Sequence, residues 1–390
     1  MSETFILAID QGTTSSRSIL FSKEGKPVHT AQKELTQHYP HSGWVEQDAG
    51  EIWTDTLATA RQAIKKAGSV ENIAAIGITN QRETVVLWDK ETLEPLCRAI
   101  VWQDRRTSDF CRGLKERGLE DMVSSKTGLL IDPYFSCSKI RWALENVDAV
   151  AKAAQEKRLA FGTIDSFLLM KLTGGAVHAT DITNASRTGL FNIRSQKWDH
   201  DLLELYDIPE DILPEVRDNV GLFGQTDPDL FGGKIDIGGM AGDQQAALIG
   251  QCCFEKGMIK STYGTGCFAL MNTGSECIQS KNRLLSSIGY RINGDVTYIL
   301  EGSIFVAGAV IQWLRDELQI IAEAPESEQL ARSIQSNDGV YFIPAFTGLG
   351  APHWQPDARA SIMGLSRGTG KAHITRAALE AQAYQTQDLL

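Results

Sequence analysis

No stretch of this chain strings together the ~20 apolar residues that a membrane-spanning helix needs. Cysteine is sparse and unpatterned: the seven residues at 97, 111, 137, 252, 253, 267 and 277 contain no Cys-x-x-Cys pair. An odd set without regular spacing argues against a disulfide framework and for reduced thiols in a cytosolic protein. The seven histidines are scattered as well, so no zinc site is expected. Positive charge is in deficit, with 38 Lys and Arg against 49 Asp and Glu and a net charge of −11. That balance argues against a nucleic-acid or anionic-membrane partner. It does not exclude an anionic substrate, because screening confines charge effects to about 8 Å at physiological salt and local arginines decide the matter. Met1-Ser2-Glu3-Thr4 is acidic and leads at once into an apolar run, so no secretory signal is expected and a cytoplasmic location is. A phosphate-binding P-loop is missing too. Residues 364–372 imitate one, but five residues separate Gly364 from Gly370 where four are required, and Ala372 stands where a Ser or Thr would reach the metal.

What is present is an ordinary globular composition, 42% apolar and 22% charged, over 390 residues, a length that usually divides into two domains. The most informative segment is 5–22. An apolar run over 5–9 reads as a buried strand and ends in Asp10. Gly12, Thr13, Thr14, Ser15 and Ser16 make a turn, and apolar residues return at 19–21. The pattern is a hairpin whose tip carries hydroxyls and backbone donors, with Asp10 and Arg17 beside it. Such a tip suits a nucleotide phosphate tail: N–H and hydroxyl groups donate to phosphate oxygens, and Arg17 adds charge-assisted bonds. Asp10 suits a hydrated magnesium ion, which takes oxygen ligands and keeps several waters. Read alone, the run is also a plain β-hairpin with a Thr/Ser-rich turn.

Further along, 48–51 resembles a capping box with Asp48 in place of Ser or Thr. It opens a helix with an apolar face of Trp53, Leu57, Ala60, Ile64 and Ala67. Strands are expected over 73–78 and 84–88. Asn80, Gln81, Arg82 and Glu83 lie between them, where sheets of this kind bind ligands at strand carboxyl ends. Ile140, Leu144 and Val147 mark one helix; Ile164, Phe167, Leu168 and Leu172 mark another, ended by Gly174-Gly175. The Pro-, Gly- and Asp-rich 207–234 reads as loop. Gly242, Asp243, Gln244 and Gln245 open a small-residue helix, and the domain boundary is expected near 250–257, giving domains 1–250 and 251–390. Beyond it, a β-branched strand meets Gly264-Thr265-Gly266 before 267–271 turns apolar again. This reads as a second phosphate hairpin, an internal duplication of the first. Ser303 is expected to cap a helix with the face Ile304, Ala307, Ile311, Leu314 and Leu318. Ile374, Ala377, Ala381 and Tyr384 form the last helical stripe.

Several of these motifs occur in one order that resembles the FGGY carbohydrate kinases. The matching residues are Asp10-Gln-Gly-Thr-Thr-Ser-Ser-Arg17, Asn80-Gln-Arg-Glu83, Trp102-Gln-Asp-Arg-Arg106, Tyr134-Phe-Ser-x-x-Lys139, Gly242-Asp-Gln-Gln-Ala-Ala-Leu248, Tyr263-Gly-Thr-Gly-Cys-Phe268 and Gly308-x-x-x-Gln312-Trp-Leu-Arg-Asp316. The resemblance extends over the whole chain. It implies an α/β, actin-like (ribonuclease H-like) fold of two domains that close on MgATP and substrate. It also implies ATP-dependent phosphorylation of glycerol to sn-glycerol 3-phosphate. By the same resemblance Arg82, Glu83, Trp102, Tyr134, Asp243, Gln244 and Phe268 bind the polyol, Trp102 and Phe268 forming an apolar wall. Asp243 is the general base, and Asp10 and Asp243 share the magnesium. Thr13, Thr14, Ser15, Arg17 and Thr265 grip the phosphates, and Gly308 and Gln312 border the nucleotide. Arg82, Glu83 and Tyr134 together favour glycerol over a pentulose or gluconate. A kinase for another polyol or sugar remains an alternative, as does a glycerol-binding protein without turnover.

Members of the family continue past the position of Leu390, so the second domain is expected to be incomplete. It would lack a Gly-Gly-x-x-x-Asn segment that cradles adenosine, leaving the purine pocket half-built and the last helical stripe without its usual cover. Residues 230–238 are short where some members carry a Gly-Thr-Arg loop for a sugar bisphosphate, so that regulation is not expected. The expected partners are glycerol and MgATP, with no nucleic acid and no membrane; a homo-oligomer is compatible with the sequence.

Overall fold

Phe5, Leu7 and Ile9 are buried while Ile6, between the first two in sequence, is 40% exposed. Residues Phe5–Gln11 therefore form a strand, β1, with one face in a core. The computed structural model describes residues 3–390. These divide into two units. The first comprises the chain up to Phe254 together with Thr273–Ile278 and Ser286–Ile299; the second takes Glu255–Asn272, Gln279–Leu285 and Leu300–Leu390.

The first unit is built on a six-stranded sheet. Its strands are β1, β2 (Ser15–Ser22), β3 (Pro27–Glu34), β4 (Ile73–Asn80), β5 (Val220–Gln225) and β6 (Asp236–Gly242), in the order β5-β6-β4-β1-β2-β3. β1 and β2 form the expected hairpin, with Asp10 opposite Arg17. The helix expected after it is α1 (Ala49–Ala67), and Asp48 caps it by accepting from the N–H groups of Gly50 and Glu51. The capping box is only half made: Glu51 Oε1 turns instead to the hydroxyl of Thr36, at 2.9 Å. Two further helices matter to the site, α2 (Ser136–Asn146) and α3 (Ile164–Leu172), followed by the short α4 (Ile182–Ala185) and then α5 (Asp243–Gly250). Ile52, Ala60 and Ala63 of α1 share one core with Phe167 and Leu168 of α3 and with Leu7, Ile9, Ile76 and Ile78 of the sheet.

That core fixes the register of everything polar above it. Burying a Leu or Ile side chain is worth about 1.5–3 kcal/mol, more than a typical net hydrogen bond. A one-residue slip of β1 would expose Leu7 and Ile9 and drive Asp10 into the core. In the register observed, Asp10 lies opposite Thr79 and Gln11 opposite Asn80 across parallel β1 and β4. Across parallel β4 and β6, Thr79 lies opposite Ala241 and Asn80 opposite Gly242. Three parallel strands thus end at one level, and Asp10, Arg82 and Asp243 emerge beside one another. The loop expected over 207–234 is corrected here: Val220–Gln225 is β5, the sheet's edge strand. Gly221 and Gly224 break up its β-pattern, which hid it.

In the second unit, β7 (Ile259–Tyr263) and β8 (Cys267–Gly274) form the second hairpin, in register from Ile259 opposite Met271 to Tyr263 opposite Cys267. Ser303 does not cap a helix. It lies inside the strand Asp295–Ile304 and donates to Glu301 Oε1 at 2.8 Å. Ile304, Phe305 and Val306 are spent on burial in strand and turn, and the helix, α6, runs over Gly308–Asp316. α7 (Glu326–Arg332), β9 (Tyr341–Ile343) and α8 (Lys371–Leu389) complete the elements used below. The uncovered stripe expected on α8 is also corrected. α6, α7 and β9 pack against that helix, and Ala377 and Ala381 are only 2% and 3% exposed, although Tyr384 is 50% exposed. All seven cysteines are free thiols. Among the described residues, no helix is long and apolar enough to cross a membrane.

Candidate active site

The first hairpin tip is held by a buried lattice of amides. The Thr13 carbonyl accepts from Gln47 Nε2 at 2.6 Å and from Gln37 Nε2 at 2.9 Å. Gln81 Nε2 donates to Gln47 Oε1 at 2.8 Å and to Gln11 Oε1 at 3.1 Å. Such a satisfied network in low dielectric is stiff, so the tip has one shape. Gly12 N–H closes it onto the Ser15 carbonyl at 2.9 Å. Ser15 Oγ accepts from Gln32 Nε2 at 3.1 Å, and Arg17 Nε donates to Gln32 Oε1, also at 3.1 Å. Arg17 Nη1 stands 3.7 Å from Asp10 Oδ2. Burial pushes the Asp10 carboxyl above its usual range; Arg17 pulls it down and the charge of Asp243 pushes it up. The carboxylates of residues 10 and 243 therefore act on one another.

Arg82 is the hub of the second cluster, and it is buried. Its Nε lies 3.5 Å from Asp243 Oδ1 and 3.8 Å from Glu83 Oε1. Nη1 donates to Gln245 Oε1 at 3.1 Å and Nη2 to the Tyr134 hydroxyl at 3.4 Å. Glu83 has a φ of +60°, in the left-handed region, which costs a non-glycine residue about 1–3 kcal/mol. Ser136 Oγ, at the start of α2, holds it there by donating to the Glu83 carbonyl at 3.0 Å. Trp102 and Tyr134 meet edge to face with ring centroids 5.7 Å apart. Asp243 opens α5: its Oδ1 accepts from the Gln244 N–H at 2.7 Å and its Oδ2 from Gln244 Nε2 at 3.2 Å. Helix opening and solvent-facing chemistry coexist there, because the side chain is still 36% exposed. Gly242 is required before it, since a Cβ would lie 2.8 Å from the Arg82 chain.

Thr265, Gly308 and Gln312 belong to the second unit, where the structure brings the first two together. The Thr265 carbonyl accepts from the N–H of Ala307 at 2.8 Å and of Ala309 at 3.2 Å, and the Gly264 carbonyl accepts from Gly308 N–H at 2.8 Å. The second hairpin tip thus sits on the N-terminus of α6, whose partial positive charge favours anions. A Cβ at Gly308 would lie 2.6 Å from the Gly264 carbonyl oxygen, so the approach needs glycine. Gln312 follows one turn later and is exposed; Phe268 is the second residue of β8 and is buried.

Sequence reasoning missed three supporting groups. Gln245 donates from Nε2 to the Ile288 carbonyl at 3.2 Å and thereby anchors Arg82. Lys139 is buried and donates to the carbonyls of Pro133 at 2.8 Å and Tyr134 at 2.7 Å; burial pushes its ammonium down to about 8. The third group is residues 181–187, behind the site, of which Arg187 Nε donates to Glu83 Oε1 at 2.6 Å.

Among the described residues, no cluster of three or more His, Cys, Asp or Glu stands ready to hold a metal. Two carboxylates that repel one another, one of them raised by burial, are a different donor set. It fits a cation such as Mg²⁺, which draws its remaining ligands from water and phosphate.

The chain is similar to known proteins over nearly all of its length. Residues 5–250 match the N-terminal domain of the FGGY family of carbohydrate kinases, and 259–390 match its C-terminal domain. The chain belongs to the FGGY family of carbohydrate kinases. FGGY relatives include the glycerol kinase of Ectopseudomonas mendocina, 60% identical over 387 residues that make up 99% of this chain and 78% of that one. The glycerol kinase of Nitrosomonas eutropha is 61% identical over 386 residues, 99% of this chain and 77% of that one. Among solved structures, glycerol kinase from Plasmodium falciparum with ADP superposes with a TM-score of 0.85 at 36% identity, over 99% of this chain and 78% of the other. A ligand-bound xylulose kinase from Lactobacillus acidophilus reaches a TM-score of 0.84 at 23% identity, covering 99% of this chain and 77% of the other. That last likeness speaks for the two-domain, actin-like α/β fold of the FGGY kinases alone.

Proposed function

We propose that this FGGY kinase transfers the γ-phosphoryl group of ATP to glycerol, giving sn-glycerol 3-phosphate and ADP. The observation that carries the reading is Asp243 Oδ1 at 3.5 Å from Arg82 Nε, inside a cluster that also holds Glu83, Gln244 and the Tyr134 hydroxyl. Three hydroxyls on three carbons present donors and acceptors with almost no apolar surface. A site of buried, hydrogen-bonding groups pairs them and rejects analogues that would leave those groups unpaired. Trp102, edge-on to Tyr134, offers the apolar surface that the carbon backbone requires.

The step asks one proton transfer of the protein. The attacking hydroxyl oxygen bonds to the γ-phosphorus, the bond from that phosphorus to the bridging oxygen breaks, and ADP leaves. The hydroxyl proton passes to the Asp243 carboxylate, whose partial exposure keeps it open to the substrate. Arg82 beside it aims the carboxylate and the polyol together. Thr13, Thr14, Ser15 and Arg17 grip the β- and γ-phosphates from the first hairpin. Thr265 of the second hairpin has the same role, and Gly308 and Gln312 border the nucleotide. Asp10 and Asp243 are the residues that would hold Mg²⁺; when bound, the ion neutralises charge developing on the phosphate oxygens. Most of the acceleration then comes from positioning and fixed electrostatics.

Coupled detection of ADP with glycerol and a panel of other polyols and pentuloses tests the reading. Turnover selective for glycerol is expected. Activity on xylulose without activity on glycerol would transfer the same chemistry to another substrate. Glycerol binding by calorimetry without any ADP release would leave a binding protein.

A further inference from the structure

Residues 181–187 read Asp-Ile-Thr-Asn-Ala-Ser-Arg, a polar run with no motif of its own. In the structure Asp181, Thr183, Asn184 and Arg187 are all fully buried, and they touch the site at three separate points. Thr183 Oγ1 accepts from the N–H of Gly242, the residue before Asp243, at 2.9 Å. Asn184 and Asn80 exchange two amide hydrogen bonds, at 2.9 and 3.0 Å, at the end of β4 and two residues before Arg82. Arg187 donates to Glu83 Oε1 at 2.6 Å, and its guanidinium lies over the rings of Tyr134 and Phe135 at 5.5 and 5.4 Å. Asp181 secures the near end by accepting from the backbone N–H groups of Thr183 and Asn184 and from the Thr183 hydroxyl.

We propose that this segment is the positioning element of the site, and that through it Arg187 sets the direction in which Glu83 offers its carboxylate to the polyol. The proposal rests on the glycerol reading above and adds to it the source of polyol selectivity. Glu83 is flanked by two arginines, Arg82 and Arg187. Its backbone is strained, and Arg82 Nε is 3.8 Å from Oε1. Arg187 supplies the short bond, and its planar fork is itself held flat by two aromatic faces. With Oε1 held, the carboxylate as a whole has a preset direction, which a substrate hydroxyl either meets or does not. A lysine at 187 keeps the charge but has neither the fork nor the stacking.

The experiment compares kcat/KM for glycerol with that for propane-1,2-diol, which lacks one hydroxyl, in the wild-type chain and in Arg187→Lys, with KM for ATP recorded alongside. The expected result is a preference for glycerol that narrows by about 10- to 100-fold in Arg187→Lys, the range for losing one charge-assisted bond, with KM for ATP unchanged. Phe135→Leu, which removes one ring from beneath the guanidinium, should narrow it in the same direction by less, and it serves where Arg187→Lys does not fold. A merely structural role lowers both kcat/KM values together and leaves their ratio alone. An unchanged ratio in folded variants therefore overturns the positioning role. A wild-type chain without activity on glycerol overturns the underlying reading and this role with it.

Discussion

Trp102 Nε1 donates to Thr13 Oγ1 at 2.9 Å. A residue assigned to the polyol wall and a residue assigned to the phosphate grip are therefore one hydrogen-bonded unit, although 89 positions separate them. Trp102→Phe keeps an aromatic ring facing Tyr134, removes the donor and trims the indole to a single ring. A neutral hydrogen bond is worth about 0.5–1.5 kcal/mol. KM for ATP should rise about two- to tenfold, more than KM for glycerol. Steady-state titration of both substrates checks this; a change confined to glycerol would break the proposed link.

Gly308→Ala probes the second hairpin by itself. The added methyl would lie 2.6 Å from the Gly264 carbonyl, a backbone atom that cannot swing aside. The tip carrying Thr265 must then shift off the N-terminus of α6. KM for ATP should rise strongly while calorimetric affinity for glycerol alone stays at the wild-type value. Loss of glycerol affinity in the same variant would contradict the division of labour.

Asp181 gives the protein a pH-dependent stability. Burial and the nearby charge of Asp165 push its carboxyl up from 3.8 to about 8. The native state therefore holds a proton that the unfolded chain releases above about pH 4. Stability is lost progressively as pH rises from about 4 through 8 and is level beyond. Asp181→Asn removes the titration, so its urea midpoint should change less between about pH 5 and pH 8.5 than that of the wild type. Parallel curves for the two proteins would refute the assignment.

Local pattern made the first half of the site readable. A strand, an acid, a hydroxyl-rich turn and an arginine lie within residues 5–17, and alternation alone places Asp10 at a strand end. The ordered set of motifs then joined Arg82, Glu83 and Asp243 to it. What escaped was support built at long range. The Arg187–Glu83 pair spans 104 positions, and so does the Asn80–Asn184 pair; the residues from 181 to 187 look like loop until the fold closes on them. β5 escaped because Gly221 and Gly224 dilute its β signal. The helix placed at Ser303 was misdrawn because Ile304 fits a helical stripe and a buried strand end equally well, and only packing decides between them.

The most direct test of the whole account is the rate of ADP formation with glycerol and MgATP for the wild type and for Asp243→Asn, each paired with glycerol calorimetry. The substitution preserves shape and removes basicity. General-base catalysis contributes about 10²–10⁴-fold, and the account predicts a loss of that order in kcat with glycerol still bound. Retention of wild-type kcat by Asp243→Asn would contradict it.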